Sequence, residues 1–414
     1  MILKFKIIHL NYYEEHGGAA QAAFRLHNEL LSHNISSEYW AVVKSSSSEK
    51  TIQVKIKHRL FWQRVSAAIC RLQLSSNKAP KSLGVFSSGI IEKINQSDAD
   101  IVHFHWINGE MLSIKEVSKI TKPVEWTFHD TWPICGTEHY FNMGDSATDR
   151  YLHGYLNSNK EDIGLDVDKY VWNLKRRHWS DFYPYIVTPS KWLRDLVNKS
   201  KLFQNRNIAF IPNGINTNEW KALDKSKARD CFGINLSSKV VSMGAMTMDN
   251  EIKGGKLLRS IMDKLLQDKS CSDIVFLVSG AGESKYINEN ATVVRTGLLR
   301  TNEQMRQFYN VADLFILPSL IDNLPNMLME AMACGTPCVG FNTGGVPEMI
   351  DHKKNGYVAE SFNVDDFVNG MKWVLFNSNY QDLSMAARHK VETEYDIINT
   401  VKQYLNLYQS ILSH

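Results

Sequence analysis

The stretch that decides the fold is 318-PSLIDNLPNMLMEAMACGTP-337, which follows the apolar run 314–317. The apolar run predicts a buried strand, and the stretch predicts a loop and a helix with Asn323 as the N-cap and Pro325 near the first helical position. Gly335 is of the residue type that ends helices. A helix that starts at the carboxyl end of a strand points its free N–H groups at the place where an anion or a sugar hydroxyl is held.

Two carboxylates belong to this predicted turn. Asp322 lies in the loop, and Glu330 lies less than two turns into the helix. Because one comes from a loop and the other from a helix, they can approach the same ligand from two sides. We therefore predict both as ligand-contacting residues; the alternative is an ordinary turn residue and a helix-face carboxylate.

Outward from this turn, short apolar runs alternate with segments of helical period. The predicted strands are 4–10, 38–43, 100–106, 124–128, 185–188, 208–210, 240–243, 274–279, 292–295, 314–318 and 338–341. The clearest predicted helices are 19–34, 252–266, 302–309, 325–333, 364–375 and 397–412. This alternation predicts an α/β fold of two doubly wound parallel sheets with a cleft between them.

A turn cluster, Ile211-Pro212-Asn213-Gly214, separates the two series of strands. We predict an N-terminal domain of residues 1–212 and a C-terminal domain of residues 213–396, with a helix of about 397–414 packing back on the first. The segment 141–170 is polar and lacks clear periodicity, which predicts a long loop near a functional face.

Composition excludes several classes of protein. The 414 residues are 43% hydrophobic and 22% charged, and the net charge of +3 is too small to indicate nucleic-acid binding. No apolar run approaches the ~20 residues of a membrane span, and the first residues do not have the pattern of a secretory signal. The six cysteines are scattered without a Cys-x-x-Cys pair, which argues against a zinc site or a disulfide scaffold. A cytoplasmic protein is the expectation.

The stretch 318–337 resembles the signature of glycosyltransferase family four, an E-x7-E motif followed by A-M-A-x-G-x-P, with Asp322 in place of the first Glu. Segments 211–215, 344–348 and 355–357 also look like that family. The resemblance implies a GT-B fold, two Rossmann-like domains facing across a cleft. It also implies retaining transfer of a sugar from a nucleotide sugar, with the nucleotide on the C-terminal domain and the acceptor on the N-terminal one. No cofactor and no metal are implied.

The resemblance assigns roles in the C-terminal half. Glu330 would bind the ribose hydroxyls of the donor. Asp322 and the backbone of Asn323 and Leu324 would hold hydroxyls of the donor sugar. Lys253 matches the lysine of the basic pair that clamps the diphosphate. The arginine of that pair is absent, because Ala245 and Met246 follow Gly244.

In the N-terminal half, the resemblance places His129 against the donor sugar near the reacting carbon. The backbone of Gly17 and Gly18 would approach the diphosphate and the donor sugar. The segment 128–133 looks like a subgroup of bacterial exopolysaccharide and O-antigen transferases. We take His105 and Asp130 as acceptor-side candidates.

Two patterns in this half resemble metal sites. His103 and His105 lie on one face of a predicted strand, and with His129 and Asp130 they can imitate a ligand set. We predict structural or acceptor-side roles for them and no metal site. The D-x-D pattern at 98–100 is interpreted as a turn, since it precedes an apolar strand.

The resulting prediction is a retaining, metal-independent glycosyltransferase of bacterial surface polysaccharide synthesis, with a glycan or lipid-linked glycan as acceptor. Two alternatives remain: a nucleotide-sugar epimerase of the same fold, and a non-catalytic binder of sugar nucleotides. The epimerase would need acid/base carboxylates for which no motif is visible. The missing arginine and the Asp322 exchange make the binder possible.

Two local clusters of basic residues stand out, at 55–64 and 175–178. A lipid-linked acceptor would require contact with the cytoplasmic membrane surface. The predicted contact is the segment 55–72, in which Lys55, Lys57, Arg59 and Arg64 are interleaved with Phe61, Trp62, Val65 and Ile69. The alternative is a packed helix with a solvated face.

Overall fold

The computed structural model describes residues 5–141, 150–156, 162–247, 251–281, 286–377 and 379–413. The chain divides into a first unit, Met1–Gly214 with Thr400–His414, and a second unit, Ile215–Asn399. The strands are β1 (Lys6–Tyr13), β2 (Ser36–Val43), β3 (Thr51–Gln53), β4 (Gln73–Leu74), β5 (Ile101–Phe104), β6 (Val124–Thr127), β7 (Ile163–Gly164), β8 (Tyr185–Thr188), β9 (Ile208–Phe210), β10 (Lys239–Thr247), β11 (Ile274–Ala281), β12 (Thr292–Gly297), β13 (Leu314–Leu317), β14 (Cys338–Phe341) and β15 (Gly356–Ala359).

Most of the α-helices lie between successive strands, and α13, α14 and α15 follow the last strand. They are α1 (Gly18–Ser32), α2 (Arg59–Cys70), α3 (Ile90–Gln96), α4 (Ile114–Val117), α5 (Arg150–His153), α6 (Val167–His178), α7 (Lys191–Lys199), α8 (Lys225–Asp230), α9 (Gly255–Leu266), α10 (Asn302–Val311), α11 (Asn326–Ala333), α12 (Val346–Met349), α13 (Val364–Leu375), α14 (Tyr380–Glu394) and α15 (Ile397–Leu412). Within the described ranges, no helix is long and apolar enough to cross a bilayer.

The first unit contains a seven-stranded sheet in the order β3-β2-β1-β5-β6-β8-β9. Every neighbouring pair is parallel. The strand order reverses between β1 and β5, so the loops that follow these two strands diverge and leave a crevice at their carboxyl ends. In doubly wound folds ligands bind at this point.

The second unit repeats the plan with six strands in the order β12-β11-β10-β13-β14-β15, again all parallel. Its order reverses between β10 and β13. The stretch 318–337 begins immediately after β13, so the sequence that suggested a ligand-binding turn lies at the switch point of this sheet.

Helix α15 is held in the first unit by two buried tyrosines. The Tyr404 hydroxyl lies 2.9 Å from Oγ1 of Thr127, and the Tyr408 hydroxyl lies 2.7 Å from Nδ1 of His103. Both partners belong to central strands of the sheet. A buried hydroxyl is stable only where it has a hydrogen-bond partner, so these contacts fix how the helix sits on the sheet.

The prediction of a continuous loop over 141–170 is wrong for its described part. Helix α5, strand β7 and the start of α6 lie within it, while 142–149 and 157–161 are outside the described residues. The sequence feature that indicates a helix here is the start of α6. The Asp166 side chain caps this helix by accepting a hydrogen bond from the Lys169 N–H, and Val167 and Val171 are buried at helical spacing.

Candidate functional site

At the switch point of the second unit, two predicted site residues meet. The Nζ of Lys253 lies 2.6 Å from Oδ2 of Asp322, and their side chains are 39% and 12% exposed. The two segments are also joined by a backbone hydrogen bond in which Leu320 N–H donates to the Ile252 carbonyl at 2.8 Å. The structure therefore places the predicted phosphate-binding lysine and the predicted sugar-binding carboxylate side by side.

Two glycines allow this close approach. Gly254 has φ +78°, and a Cβ there would lie 1.8 Å from the Pro318 carbonyl oxygen. Gly344 has φ +57°, and a Cβ there would lie 1.9 Å from the Asp322 carbonyl oxygen. A side chain at either position would push the Asp322 loop away from its neighbours, so both positions require glycine.

A pocket adjoins the ion pair, between the carboxyl ends of β10 and β13 and the start of α9. Lys253 and Ser319 line it together with Gly244, where a Cβ would come within 2.6 Å of Met327. The Ser319 hydroxyl is buried and has no hydrogen-bond partner among the described residues. An unpaired buried hydroxyl beside a cation is a place where a ligand can supply the missing partner. Sequence reasoning did not select Ser319.

Helix α11 starts later than predicted. Its N-cap is Pro325 and its first residue is Asn326, so the prediction of Asn323 as the N-cap is wrong. The physical reason is that the Pro325 carbonyl accepts the first helical bond, from Leu328 N–H at 3.1 Å. Asn323 and Leu324 therefore belong to the loop, both buried.

Glu330 lies in α11 and is 3% exposed. The Tyr309 hydroxyl, from α10, donates a hydrogen bond of 2.9 Å to its Oε2. This bond orients the carboxylate, and sequence reasoning did not find Tyr309. The helix ends at Ala333, and Gly335, the residue predicted to close it, follows the C-cap Cys334 with φ +78° and donates its N–H to the Met332 carbonyl.

In the first unit, Gly17 and Gly18 start helix α1, which follows β1 at the switch point. Gly17 is the N-cap with φ +91°, and a Cβ there would meet no atom within 4 Å. The backbone conformation, and not crowding, therefore explains the glycine. Gly18 is exposed.

His129 and Asp130 follow β6 in the same unit. Asp130 accepts hydrogen bonds from the Trp106 indole N–H at 3.1 Å and the Trp132 backbone N–H at 2.9 Å, and its Oδ2 lies 2.6 Å from Nδ1 of His139. Burial opposes its ionisation, but His139 and these donors hold the pKa of Asp130 below its usual value. Asp130 is thus a buried carboxylate with protein partners.

His129 is the outer member of a line of histidines. Its Nε2 lies 3.1 Å from Nδ1 of His105, and Nε2 of His105 lies 3.1 Å from Nδ1 of His9. Burial lowers the pKa of His129 to about 4, and the pKa values of His105 and His9 fall well below the usual value for the same reason. All three rings are therefore neutral at pH 7. His9 had no sequence prediction.

The histidines that group most tightly differ from the set considered in the sequence. His9, His103 and His105 offer nitrogens within 4.8 Å of one another, and all three are buried. His103 uses both ring nitrogens within the protein, since Nδ1 meets Tyr408 and Nε2 lies 2.8 Å from Oγ1 of Thr127. A metal ion would therefore have to displace hydrogen bonds that His103 and His105 already make.

Two units, each built on a doubly wound parallel sheet, are the architecture of the GT-B class of fold, and solved structures share it. A sucrose-phosphate synthase from Thermosynechococcus elongatus superposes with a TM-score of 0.71 at 13% identity, over 99% of this chain and all of the other. HepE of Anabaena, solved with UDP and glucose, gives a TM-score of 0.66 at 15% identity over 98% and 100% of the two chains.

The chain belongs to glycosyltransferase family 4. The Glycosyltransferase Family 4 sequence model matches residues 16–219, and the model of Glycosyl transferases group 1 matches residues 237–377. The second match includes Lys253, Asp322 and Glu330. The predicted family and the α/β, GT-B fold class are thereby confirmed.

Curated relatives are distant. The Escherichia coli UDP-Gal:alpha-D-GlcNAc-diphosphoundecaprenol alpha-1,3-galactosyltransferase is 23% identical over 209 residues, 49% of this chain and 54% of the relative. The D-inositol 3-phosphate glycosyltransferase of Corynebacterium aurimucosum is 23% identical over 321 residues, 73% of this chain and 70% of the relative. The match to the Escherichia coli enzyme thus spans about half of that relative's length.

Proposed function

We propose that this protein transfers a sugar from a nucleoside-diphosphate sugar to a glycan or lipid-linked glycan, with retention of configuration, in bacterial surface polysaccharide synthesis. The observation that carries the proposal is the Lys253–Asp322 pair, 2.6 Å apart, beside a pocket at the switch point of the second sheet. An ammonium at this point suits a diphosphate, and the neighbouring carboxylate suits sugar hydroxyls.

The residues take the following roles in the proposal. Glu330, oriented by Tyr309, accepts hydrogen bonds from the ribose hydroxyls. Asp322 and the loop backbone of Asn323 and Leu324 hold the donor sugar, and Lys253 meets the diphosphate. On the first unit, the Gly17–Gly18 backbone approaches the diphosphate and the donor sugar. His129 contacts the sugar near its reacting carbon, and His105 and Asp130 support that side.

The proposed reaction needs no metal, no cofactor and no strong protein nucleophile. The bond from the anomeric carbon to the diphosphate oxygen breaks, and the acceptor oxygen bonds to that carbon on the same face. The acceptor proton passes to the departing diphosphate. Lys253 and the N–H groups at the start of α11 stabilise the charge that develops on the phosphate.

Ligand-dependent melting tests the proposal first. UDP, GDP and ADP are compared, and one of them is expected to stabilise the protein by about 2.7 kcal/mol at a hundredfold excess over Kd.

Incubation with the matching nucleotide sugar and a glycan acceptor then decides the reaction. Free nucleoside diphosphate with a glycoside of unchanged anomeric configuration supports a retaining transferase, and activity that survives EDTA supports metal independence. An isomerised sugar would identify an epimerase, and binding without turnover would identify a binder.

The His129→Ala variant is expected to lose transfer and keep nucleotide binding. Because His129 lies in the first unit and the nucleotide is assigned to the second, we expect kcat to fall by about 10-fold with nucleoside diphosphate affinity unchanged. Steady-state kinetics and calorimetry measure the two quantities. His389→Ala, an exposed histidine of α14, is the control. Loss of nucleotide affinity with normal kcat would remove His129 from this role.

Membrane contact is the remaining part of the proposal, and we propose the exposed residues at the start of α2 and just before it as its surface. Trp62 stacks on Phe86 with ring centroids 4.4 Å apart, and Val65 and Ile69 are half-buried. The predicted apolar face is thus largely packed inward, while Leu60 and Phe61 are 60% and 57% exposed.

Reversing the exposed charges of Lys55, Lys57 and Arg64 is expected to weaken binding to anionic vesicles at low salt. At about 1 kcal/mol per basic residue, the loss is about 100-fold. Arg59 is left intact because it bonds the Tyr12 hydroxyl at 3.2 Å. Co-sedimentation with phosphatidylglycerol vesicles measures the effect. Three exposed basic residues elsewhere in the first unit, Arg176, Arg177 and Lys199, are reversed as the control. Equal loss in both variants, or none in either, would refute a contact at α2.

A further inference from the structure

The line of three histidines in the first unit has a definite direction of hydrogen bonding. Each neutral imidazole has one N–H donor and one acceptor nitrogen, so one proton position in the line fixes all the others. The line runs from His9, fully buried, through His105, 4% exposed, to the half-buried His129. The two links are both 3.1 Å long.

The inner end of the line selects the direction. Nε2 of His9 is buried and has no hydrogen-bond partner among the described residues. A buried donor without an acceptor is rarer in proteins than an acceptor without a donor. His9 therefore carries its proton on Nδ1 and donates it to Nε2 of His105. His105 in turn carries its proton on Nδ1 and donates to Nε2 of His129.

We infer that His9 and His105 are positioning residues that lock His129 in the Nδ1–H tautomer. Nε2 of His129 is then an acceptor for His105, and Nδ1 carries the proton. An N–H donor suits a departing phosphate oxygen, against which the opposite tautomer would set a lone pair, whereas a sugar hydroxyl can pair with either tautomer. The kinetic part of this inference rests on the proposed transferase function.

The surroundings of the line favour this arrangement over a metal site. The ring of His103 stacks on His105 with centroids 3.9 Å apart, and its two nitrogens are engaged with Tyr408 and Thr127. Tyr39 stacks on His9 with ring centroids 6.3 Å apart. The rings are thus held in place by packing, which is the condition for a hydrogen-bonded line to fix a tautomer.

Nitrogen NMR of the full-length protein with 15N-labelled histidine tests the tautomer without substrate. The 15N shift of an imidazole nitrogen separates the protonated from the unprotonated form, and the His129 signals are assigned by their loss in His129→Ala. We expect Nδ1–H for His129 in the wild type. Mixed or Nε2–H tautomers are expected in His105→Leu. An Nε2–H tautomer in the wild type, or stoichiometric zinc bound to the protein and released by His9→Leu, would overturn the inference.

Variants at 105 test the consequence for catalysis. His105→Leu removes the donor, and kcat is expected to fall about 2- to 10-fold with nucleoside diphosphate affinity unchanged. His105→Asn places an amide N–H near the former Nδ1, so it is expected to restore both the tautomer and most of kcat. His27→Asn is the control for a packing defect, since His27 is buried near His9 but bonds Ser37.

A double-mutant cycle separates positioning from structural damage. In the His129→Ala background, His105→Leu is expected to cause no further loss of kcat, because its effect passes through His129. An additive loss, or a His105→Asn variant as impaired as His105→Leu, would overturn the inference. Where wild-type protein shows no transfer at all, the proposed function fails while the NMR result still decides the tautomer.

Discussion

Replacing Lys253 by methionine is expected to lower kcat by about 10²- to 10³-fold, the loss measured when one preorganised donor to a developing anion is removed. The arginine that the family resemblance pairs with this lysine is absent, because Ala245 follows Gly244, so the proposed function assigns Lys253 a larger share of the diphosphate charge. Nucleoside diphosphate affinity is expected to fall as well, because the diphosphate is present in the ground state. Single-turnover transfer and calorimetry measure the two effects.

The matched control is Lys256→Met. Lys256 lies in the same segment, but its side chain is 72% exposed and pairs with Glu251 at 3.6 Å, away from Asp322. We expect its variant to behave as wild type. A Lys253→Met protein that keeps more than about a tenth of the wild-type kcat would contradict the role of Lys253 as the main cation of the site.

Most of the central strands of both units could be predicted from the sequence because their pattern of burial is simple, whereas β3, β4, β7, β15 and α14 had no prediction. Buried parallel strands are continuous apolar runs, and β8, β9 and β14 have the predicted bounds. Helix α13, with its Asn363 cap and its buried face, also matches the prediction of 364–375. Segment 141–170 failed because the helical pattern of α6 was hidden within a polar stretch.

The site was predictable only where a motif marks it. Asp322 was predicted from the loop and helix pattern and Lys253 from the family resemblance; they are 69 residues apart in the chain, and the structure brings them into contact. No sequence pattern predicts a site role for Tyr309 or Ser319, because their roles depend on which residues lie next to them in the folded chain. His9 did carry a signal. It is a polar residue between Ile8 and Leu10 in a buried strand, and a buried polar side chain requires a partner.

The basic cluster at 175–178 contains one buried lysine, Lys175, which its charge alone does not reveal. In the sequence it is followed directly by Arg176 and Arg177, and charge alone does not distinguish the three. In the structure Arg176 and Arg177 are exposed, whereas Lys175 is fully buried on the inner face of α6. The distinguishing feature is helical spacing, since Lys175 follows the buried Val171 by four residues.

The buried ammonium of Lys175 closes the loop that follows Asp130. Its Nζ donates to the carbonyl oxygens of Trp132, Cys135 and Gly136 at 2.5, 2.9 and 2.8 Å. The same nitrogen lies 3.7 Å from the centre of the Trp132 ring. Burial lowers the pKa of Lys175 to about 7, and the three carbonyl acceptors, which match the three N–H donors of the protonated amine, favour the protonated form.

The Lys175→Met variant is therefore expected to lose about 3–5 kcal/mol of unfolding free energy, because methionine keeps the apolar stem but leaves three buried carbonyls without a donor. Urea unfolding followed by circular dichroism and by tryptophan fluorescence measures the change. The control is Arg177→Met, two residues further along α6 and exposed. Its free energy of unfolding is expected to stay within about 0.5 kcal/mol of the wild-type value. If the two variants unfold at the same urea concentration, the three carbonyls find other donors, and Lys175 does not hold the loop.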